Sequence, residues 1–253
     1  MCKGHHNNQE RLRNPTLVRQ KLLIVTQSLR LPSICTLCNQ FHKGILAVCE
    51  PCIALLPQLG PACQYCAYPL PDMAYLICGR CIKKPPHFDR TFIAYKFEEP
   101  LRTLLHRFKY HNGLYLTSFL SHLIMSSAQR QLNKPQCLIP VPMHPQRIKQ
   151  RGFNQAAVLA QALAQKLQIP YDVNCCQKMI NTVPQASLDG EQRQTNLRHA
   201  FSAQKRPYQH VALIDDLLTT GATTNELALT LKKTGVQQVD VWCCARTVAK
   251  NEI

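Results

Sequence analysis

Two adjacent carboxylates, Asp215 and Asp216, close the apolar run Val211–Ile214, and the turn Thr219-Thr220-Gly221-Ala222-Thr223 follows within three residues. Carboxylates at the carboxyl end of a strand can accept hydrogen bonds from ribose hydroxyls or hold Mg²⁺, directly or through water. The turn supplies a glycine that permits close backbone approach, hydroxyl donors, and amides opening a helix at 222, which together make a phosphate cradle. The stretch can therefore hold both ends of a ribose 5-phosphate, with sugar hydroxyls on the aspartates and phosphate on the loop. A bland alternative makes Asp216 a helix cap and Thr219 and Thr220 a plain turn; a double aspartate together with TTGAT favours the site. Two other phosphate sites use similar pieces. A Walker B strand needs a G-x-x-x-x-G-K-[ST] partner and a dinucleotide fold needs G-x-G-x-x-G; none of the nine glycines begins the first, and no two stand two apart.

The second chemical cluster is thiol. Cys35/Cys38, Cys49/Cys52, Cys63/Cys66 and Cys78/Cys81 form four C-x-x-C pairs within 47 residues, and a shift of 28 or 29 residues lays the first two on the second two. Each C-x-x-C puts two sulfurs on one tight turn, and two such turns complete a tetrahedron with Zn–S near ~2.3 Å. The spacing predicts two tandem zinc ribbons, each with four cysteine ligands and one structural zinc ion. Disulfides, or a thioredoxin-like redox pair, fit four evenly spaced pairs poorly. Pairing the middle knuckles, Cys49/Cys52 with Cys63/Cys66, is possible in principle; consecutive pairing leaves no orphan knuckle. Cys137, Cys243 and Cys244 fall in or beside predicted strands and read as packing residues.

These clusters sit in a chain of 253 residues, 45% of them hydrophobic, enough for one ordinary domain plus a small one with a real core. Thirty Lys and Arg against 14 Asp and Glu give +16, and thiolates on two zinc ions would bring the working charge to about +12. Such a surface suits a polyanionic partner, nucleic acid or a phosphate-bearing ligand. Residues 1–15 are polar and the run LLIVT at 22–26 is too short for a signal-peptide core. No stretch of 18 apolar residues predicts a membrane span. The expectation is a cytoplasmic protein, where cysteines serve metals or stay buried as thiols.

KKPPHFDR at 83–90 breaks the cysteine pattern, which places a domain boundary near 85, with a double zinc ribbon over 30–84 and a second domain over 86–250. Beyond it, apolar runs alternate with helical patterns: RTFIAYKF as strand, helices over 99–110 and 114–131, CLIPVP as strand, a helix over 153–168, VALID as strand, a helix over 222–234, and QVDVWCCAR as strand. That alternation predicts α/β class with a mostly parallel sheet.

Four apolar residues, two acidic ones and T-T-G-x-T resemble the phosphoribosyl pyrophosphate (PRPP) motif of type I phosphoribosyltransferases, matched by Val211–Ile214, Asp215, Asp216, Thr219, Thr220, Gly221 and Thr223. IPVPMHPQRIKQRGFNQAAVLA at 139–160, TVPQASLDGEQRQTNLRHAF at 182–201, and the order of zinc ribbon before phosphoribosyltransferase-like domain resemble the ComF family over about 220 residues, 32 to 248. The resemblance implies a PRPP site with Mg²⁺. Asp215 and Asp216 would contact the ribose, Thr219 to Thr223, Ala222 included, the 5-phosphate, and Val141–His144 with Arg147 and Arg151 the pyrophosphate. Arginine forks suit that dense charge, although Arg147, Lys149 and Arg151 alternate and on a loop could be merely solvated. Thr182, Gln185, Arg193 and Asn196 match family positions, and Gln185 and Arg193 are candidates for a mobile loop over the phosphates.

The resemblance also implies a role in natural transformation, in which single-stranded DNA enters the cytoplasm, with single-stranded DNA and a competence helicase of the uptake machinery as partners. LHRFKYHNGLY at 105–115 interleaves Arg107 and Lys109, the candidate DNA contacts, with Phe108, Tyr110 and Tyr115, the mixture used by stacking platforms. The competing reading is a helix end with aromatics in the core and cations in solvent. No segment has residue types that would select a particular base or amine, so catalysis of transfer is a fold-level inference without an acceptor.

Overall fold

The computed structural model describes residues 32–110, 113–129, 133–180 and 200–248. Two compact units divide the chain, Met1–Ile53 and Ala54–Ile253.

In the first unit, the hairpin strands β1 (Ser33–Ile34) and β2 (Phe41–His42) pair antiparallel. Cys35, Cys38, Cys49 and Cys52 bring their sulfurs together, all within 4.8 Å of one another. The helix α1 (Glu50–Ala54) begins on the second knuckle. The larger unit contains the other tetrad, Cys63, Cys66, Cys78 and Cys81, built to the same limit, with α2 (Gly79–Lys83) on its second knuckle. Consecutive knuckles therefore pair.

The repeat seen in the sequence is a repeat of hydrogen bonds. The carbonyls of Cys35, Cys49, Cys63 and Cys78 each accept the amide four residues on, from Asn39 (2.9 Å), Ile53 (3.0 Å), Ala67 (2.8 Å) and Ile82 (3.0 Å). Asn39 and Ala67, equivalent by the internal shift, both turn through positive φ, 57° and 52°. Sulfur spacings of 3.8 Å (Cys38–Cys49) and 3.7 Å (Cys66–Cys78) match the edge of about 3.8 Å that a tetrahedron with Zn–S near ~2.3 Å requires. Amides of Leu37 and Cys49 point at the Cys35 sulfur, each at 3.4 Å. Against burial, these backbone donors and that of Cys38 lower the Cys35 thiol to about 6. The hydrogen bond with the Cys66 thiol, opposed by burial, lowers Cys63 to about 4. Each tetrad thus holds one thiol poised to ionise, while burial raises Cys52 and Cys81 to about 12; with their sulfurs gathered in this way, the two tetrads could bind structural zinc ions.

The α/β core of the larger unit is one sheet, ordered β3 (Arg90–Phe92), β9 (Gln238–Arg246), β8 (His210–Leu218) and β5 (Cys137–Pro140), with β4 (Tyr95–Lys96) also on β9 and every pairing parallel. Parallel strands need helices on both faces, so their sequences are continuously apolar, as VALI and VWCCA are. On one face, Val211, Leu213, Val239 and Val241 pack with Leu227, Ala228 and Leu231 of α7 (Ala222–Lys233). On the other, the Cys244 thiol lies 3.7 Å from the Leu120 carbonyl of α4 (Thr117–Ala128). The unit also contains helices α3 (Leu101–Tyr110), α5 (Pro145–Arg151) and α6 (Gln155–Leu167) and the antiparallel pair β6 (Cys176–Lys178) and β7 (Phe201–Ala203).

Three elements differ from the sequence reading. The strand expected over RTFIAYKF is split into β3 and β4. The expected VALID strand runs on through both aspartates to Leu218, because β9 continues beside it to Arg246. The segment expected as a loop around Arg147 is helix α5, started by His144, whose Nδ1 accepts the Gln146 amide at 3.3 Å, with Pro145 at its first position, and ended by Gly152 at φ 88°.

Hydrogen bonds also explain why the division between the units falls after Ile53. The second cysteine tetrad is tied to the core sheet: the Thr91 amide donates to Gln64 at 3.0 Å, the Leu59 amide to Ala94 at 2.8 Å and the Lys96 amide to Pro57 at 2.8 Å.

Metal analysis is expected to give two zinc ions per chain, falling to one in either Cys35→Ser or Cys63→Ser. Because the second tetrad is bonded to the sheet, Cys63→Ser should lower the main melting transition by several degrees, and Cys35→Ser should lower it less.

Candidate functional site

At the carboxyl ends of β5 and β8 lies a cleft of about 260 Å³, walled by Val141–His144, Arg147, Arg151, Asn154–Ala156, Lys178, Asp215–Thr219 and Gly221–Thr224, with Lys109 at its side. The sequence-predicted groups converge there. Helix α5 accounts for the two arginines: Arg147 and Arg151 are four residues apart on one helical face and both reach the cleft wall, and Lys149 does not. Arg151 is anchored, donating to the Gln155 Oε1 at 3.1 Å and the Tyr110 hydroxyl at 2.9 Å, with its guanidinium 4.8 Å from the Tyr110 ring centre.

The phosphate-loop candidates open α7. Gly221 sits at φ 80°, and a Cβ there would meet nothing closer than 3.7 Å, so the backbone angle and not space demands glycine. Thr219, Gly221, Ala222 and Thr223 are on the cleft wall. Thr220 is exposed and its hydroxyl accepts the Ala222 amide at 3.3 Å. Thr224, which the motif left out, is buried on that wall and donates to the Gly221 carbonyl at 3.0 Å.

One buried side chain holds the loop from behind. The Arg246 guanidinium, 4% exposed, donates to the carbonyls of Leu218 (3.2 Å), Thr219, Thr247 (2.7 Å) and, from the second cysteine tetrad, Cys66 (3.0 Å). A trans peptide points its C=O and N–H in opposite directions. Drawing the Leu218 and Thr219 carbonyls to Arg246 therefore turns the Thr219 and Thr220 amides away from it.

The acidic pair is unequal. Asp216 forms an ion pair with Lys109, Nζ to Oδ2 2.6 Å, in which the side chains are 22% and 9% exposed. Burial disfavours the ammonium, but the Asp216 carboxylate outweighs it and raises the Lys109 pKa. Asp215 accepts the Asp216 amide on Oδ1 at 2.9 Å. Burial, then the neighbouring Asp216 charge, push Asp215 up to about 8. Across the cleft, burial and then Arg147 lower Lys178 to about 8.

Of the two DNA-contact candidates, Arg107 is exposed, whereas Lys109 is turned into the cleft. Gln185 and Arg193 lie outside the described residues. Sequence reasoning missed Lys178 and Gln155. Gln155 is 2% exposed, and its buried Nε2 has no hydrogen-bond partner among the described residues. A buried donor left unpaired is costly, on the order of 1–3 kcal/mol, and a ligand oxygen in the cleft would relieve it. The RGFNQ segment carried this signal: Asn154 caps α6, its Oδ1 accepting the Ala156 amide at 3.1 Å, and so places Gln155 at the helix entrance.

For Mg²⁺ the chain's own donors fit poorly. Asp216 is already paired with Lys109, and among the described residues the only clusters of three or more potential ligands are the two cysteine tetrads. A divalent ion would have to be held chiefly by oxygens of the ligand it accompanies.

Fold and site define an α/β protein with two cysteine tetrads and a cation-rich cleft at the carboxyl ends of parallel strands. No family model matches the chain. It is 36% identical to Competence protein F of Haemophilus influenzae over 217 residues, 82% of this chain and 94% of that protein. It is 33% identical to DNA utilization protein YhgH of Escherichia coli K12 over 231 residues, 87% of this chain and all of that protein. Competence protein ComFC of Bacillus subtilis is 25% identical over 224 residues, 80% and 90% of the two chains. The chain belongs to the ComF family. Among the described residues, no helix is long and apolar enough to cross a membrane.

The raised Asp215 has a consequence for stability. Between the unfolded carboxyl value near ~4 and the folded value of about 8, the folded chain keeps a proton that the unfolded chain releases, so stability falls as pH rises through that window. Asp215→Asn keeps the Oδ1 acceptor and removes the titration. Its melting temperature should lie close to the parent's at pH 4 and exceed it by several degrees at pH 8. Parallel curves for the two proteins between those pH values would contradict the assignment.

Proposed function

We propose that the cleft binds PRPP or a related ribose 5-phosphate, and that the protein serves the uptake or use of incoming DNA. The observation that carries the first part is the convergence, in one cleft, of the acidic pair at the end of β8, the turn opening α7 and the two arginines of α5. Asp215 and Asp216 would receive the ribose hydroxyls, Thr219 to Thr223 the 5-phosphate, and Arg147, Arg151 and Lys178 the pyrophosphate. The second part rests on the names of the relatives, competence and DNA utilization proteins. Displacement of the pyrophosphate by a nitrogen acceptor is chemistry that the cations could assist by stabilising the leaving group. The acceptor is open, so ligand binding is the core of the reading.

A second surface supports contact with single-stranded DNA. Along α3 the rings of His106 and Tyr110 lie 4.9 Å apart, and Tyr110 and Tyr115 are 56% and 53% exposed. Arg107 shares a groove of about 510 Å³ with His106, Tyr110 and Arg102, the last paired with Glu99 at 2.8 Å. Exposed rings flanked by cations suit stacking on bases and attraction to the backbone.

PRPP supplied with Mg²⁺ at about 100 times its Kd should stabilise the folded state by about 2.7 kcal/mol, visible as a rise of several degrees in melting temperature. The double variant Asp215→Asn, Asp216→Asn should show no shift. Single-stranded DNA affinity should fall steeply with salt, persist in that double variant and weaken in Arg107→Ala. A PRPP shift that survives loss of both carboxylates removes the ribose assignment. DNA binding that vanishes with them places both ligands in one site.

A further inference from the structure

Asp216, one of the two carboxylates at the cleft, already has a cation. Lys109 reaches Asp216 at 2.6 Å from a helix whose Leu101, Leu104, Leu105 and Phe108 are buried, so the lysine is carried on a packed element and not on a loose loop. Gly113 supports that placement, since a Cβ there would stand 2.5 Å from the Arg107 carbonyl and 2.6 Å from the Phe108 Cα. The cleft wall carries four cationic side chains, Lys109, Arg147, Arg151 and Lys178, against two carboxylates, Asp215 and Asp216. This excess of cations suits a phosphate-bearing ligand. An ammonium has three donors, so Lys109 beside Asp216 can also donate to a ribose hydroxyl or a phosphate oxygen.

We propose that Lys109 is the resident cation of the acidic pair, and that this site takes a ribose 5-phosphate without a divalent metal ion. The inference rests on the ribose 5-phosphate reading above and states what that site requires. Lys109 orients Asp216 toward the sugar and cancels part of the repulsion that two adjacent carboxylates exert on an incoming phosphate. Without it, the pair would regain a need for an external cation.

Calorimetric titration of the full chain with ribose 5-phosphate, in EDTA and in Mg²⁺, tests this directly. The wild-type Kd is expected to agree within about threefold between the two conditions. Lys109→Met should bind at least about tenfold more weakly in EDTA, a change of ~1.4 kcal/mol, and recover in Mg²⁺. Lys109→Arg should keep binding in EDTA. Recovery by metal is a readout that a purely structural role for Lys109 would not produce, and melting curves of each variant verify folding. Wild-type binding only in the presence of Mg²⁺ overturns the inference and leaves the ribose 5-phosphate reading standing. Lys109→Met binding as tightly as wild type in EDTA also overturns it. Absence of wild-type binding in both conditions removes the ribose 5-phosphate reading itself, and the inference with it. Because the wild-type comparison is decisive alone, a failure of Lys109→Met to fold does not protect the proposal.

Discussion

The arrangement depends on the parallel pairing of β8 between β5 and β9. A strand hydrogen-bonded on both sides and covered on both faces cannot slip, because a shift of one residue would carry Asp215 or Asp216 into the apolar layers. Val211–Ile214 are fully buried, and that burial delivers the acidic pair toward the carboxyl end of β8. Two carboxylates in that position are unfavourable in an empty site, and the chain accommodates them differently. Asp216 is neutralised by Lys109, while Asp215 is pushed toward its protonated form. Such local cost is common where a ligand is awaited.

Arg246 links the two chemistries found in the sequence. It stands at the end of β9, and its guanidinium joins the carbonyls of the turn after β8 to that of Cys66 in the second cysteine tetrad. Removing water from a guanidinium is costly unless its donors are met; here four backbone carbonyls meet them. The second tetrad therefore belongs structurally with the Thr219–Thr223 turn, consistent with a compact unit that begins at Ala54.

The sequence was most legible where one physical requirement dominates. Thiol spacing shows directly in Cys35 to Cys81, because C-x-x-C dictates a local turn. The strand QVDVWCCAR is found over the very residues Gln238–Arg246, since burial on both faces leaves an unbroken apolar run. The core cysteines Cys137, Cys243 and Cys244 are buried, as packing residues should be. Less legible were features set by distant partners. Nothing in LHRFKYHNGLY alone reveals that Lys109 meets Asp216, 107 residues further on, and a basic residue between aromatics reads equally well as a nucleic-acid contact. Helix α5 was missed for a different reason: seven residues carry little periodicity, and only the capping His144-Pro145 and the terminating Gly152 mark it. Lys178 belongs to a three-residue strand after a loop, and only the fold turns it toward Asp215.

The proposed occupant of the cleft is a ribose 5-phosphate held between the acidic pair and the Thr219–Thr223 turn. A crystal structure of the protein soaked with PRPP tests it most directly. The expected result has the 5-phosphate on the turn, the ribose hydroxyls within hydrogen-bonding distance of Asp215 and Asp216, and Lys109 still beside Asp216. A ligand bound elsewhere, or bound in the cleft with its phosphate on α5 and its ribose away from the aspartates, would contradict it.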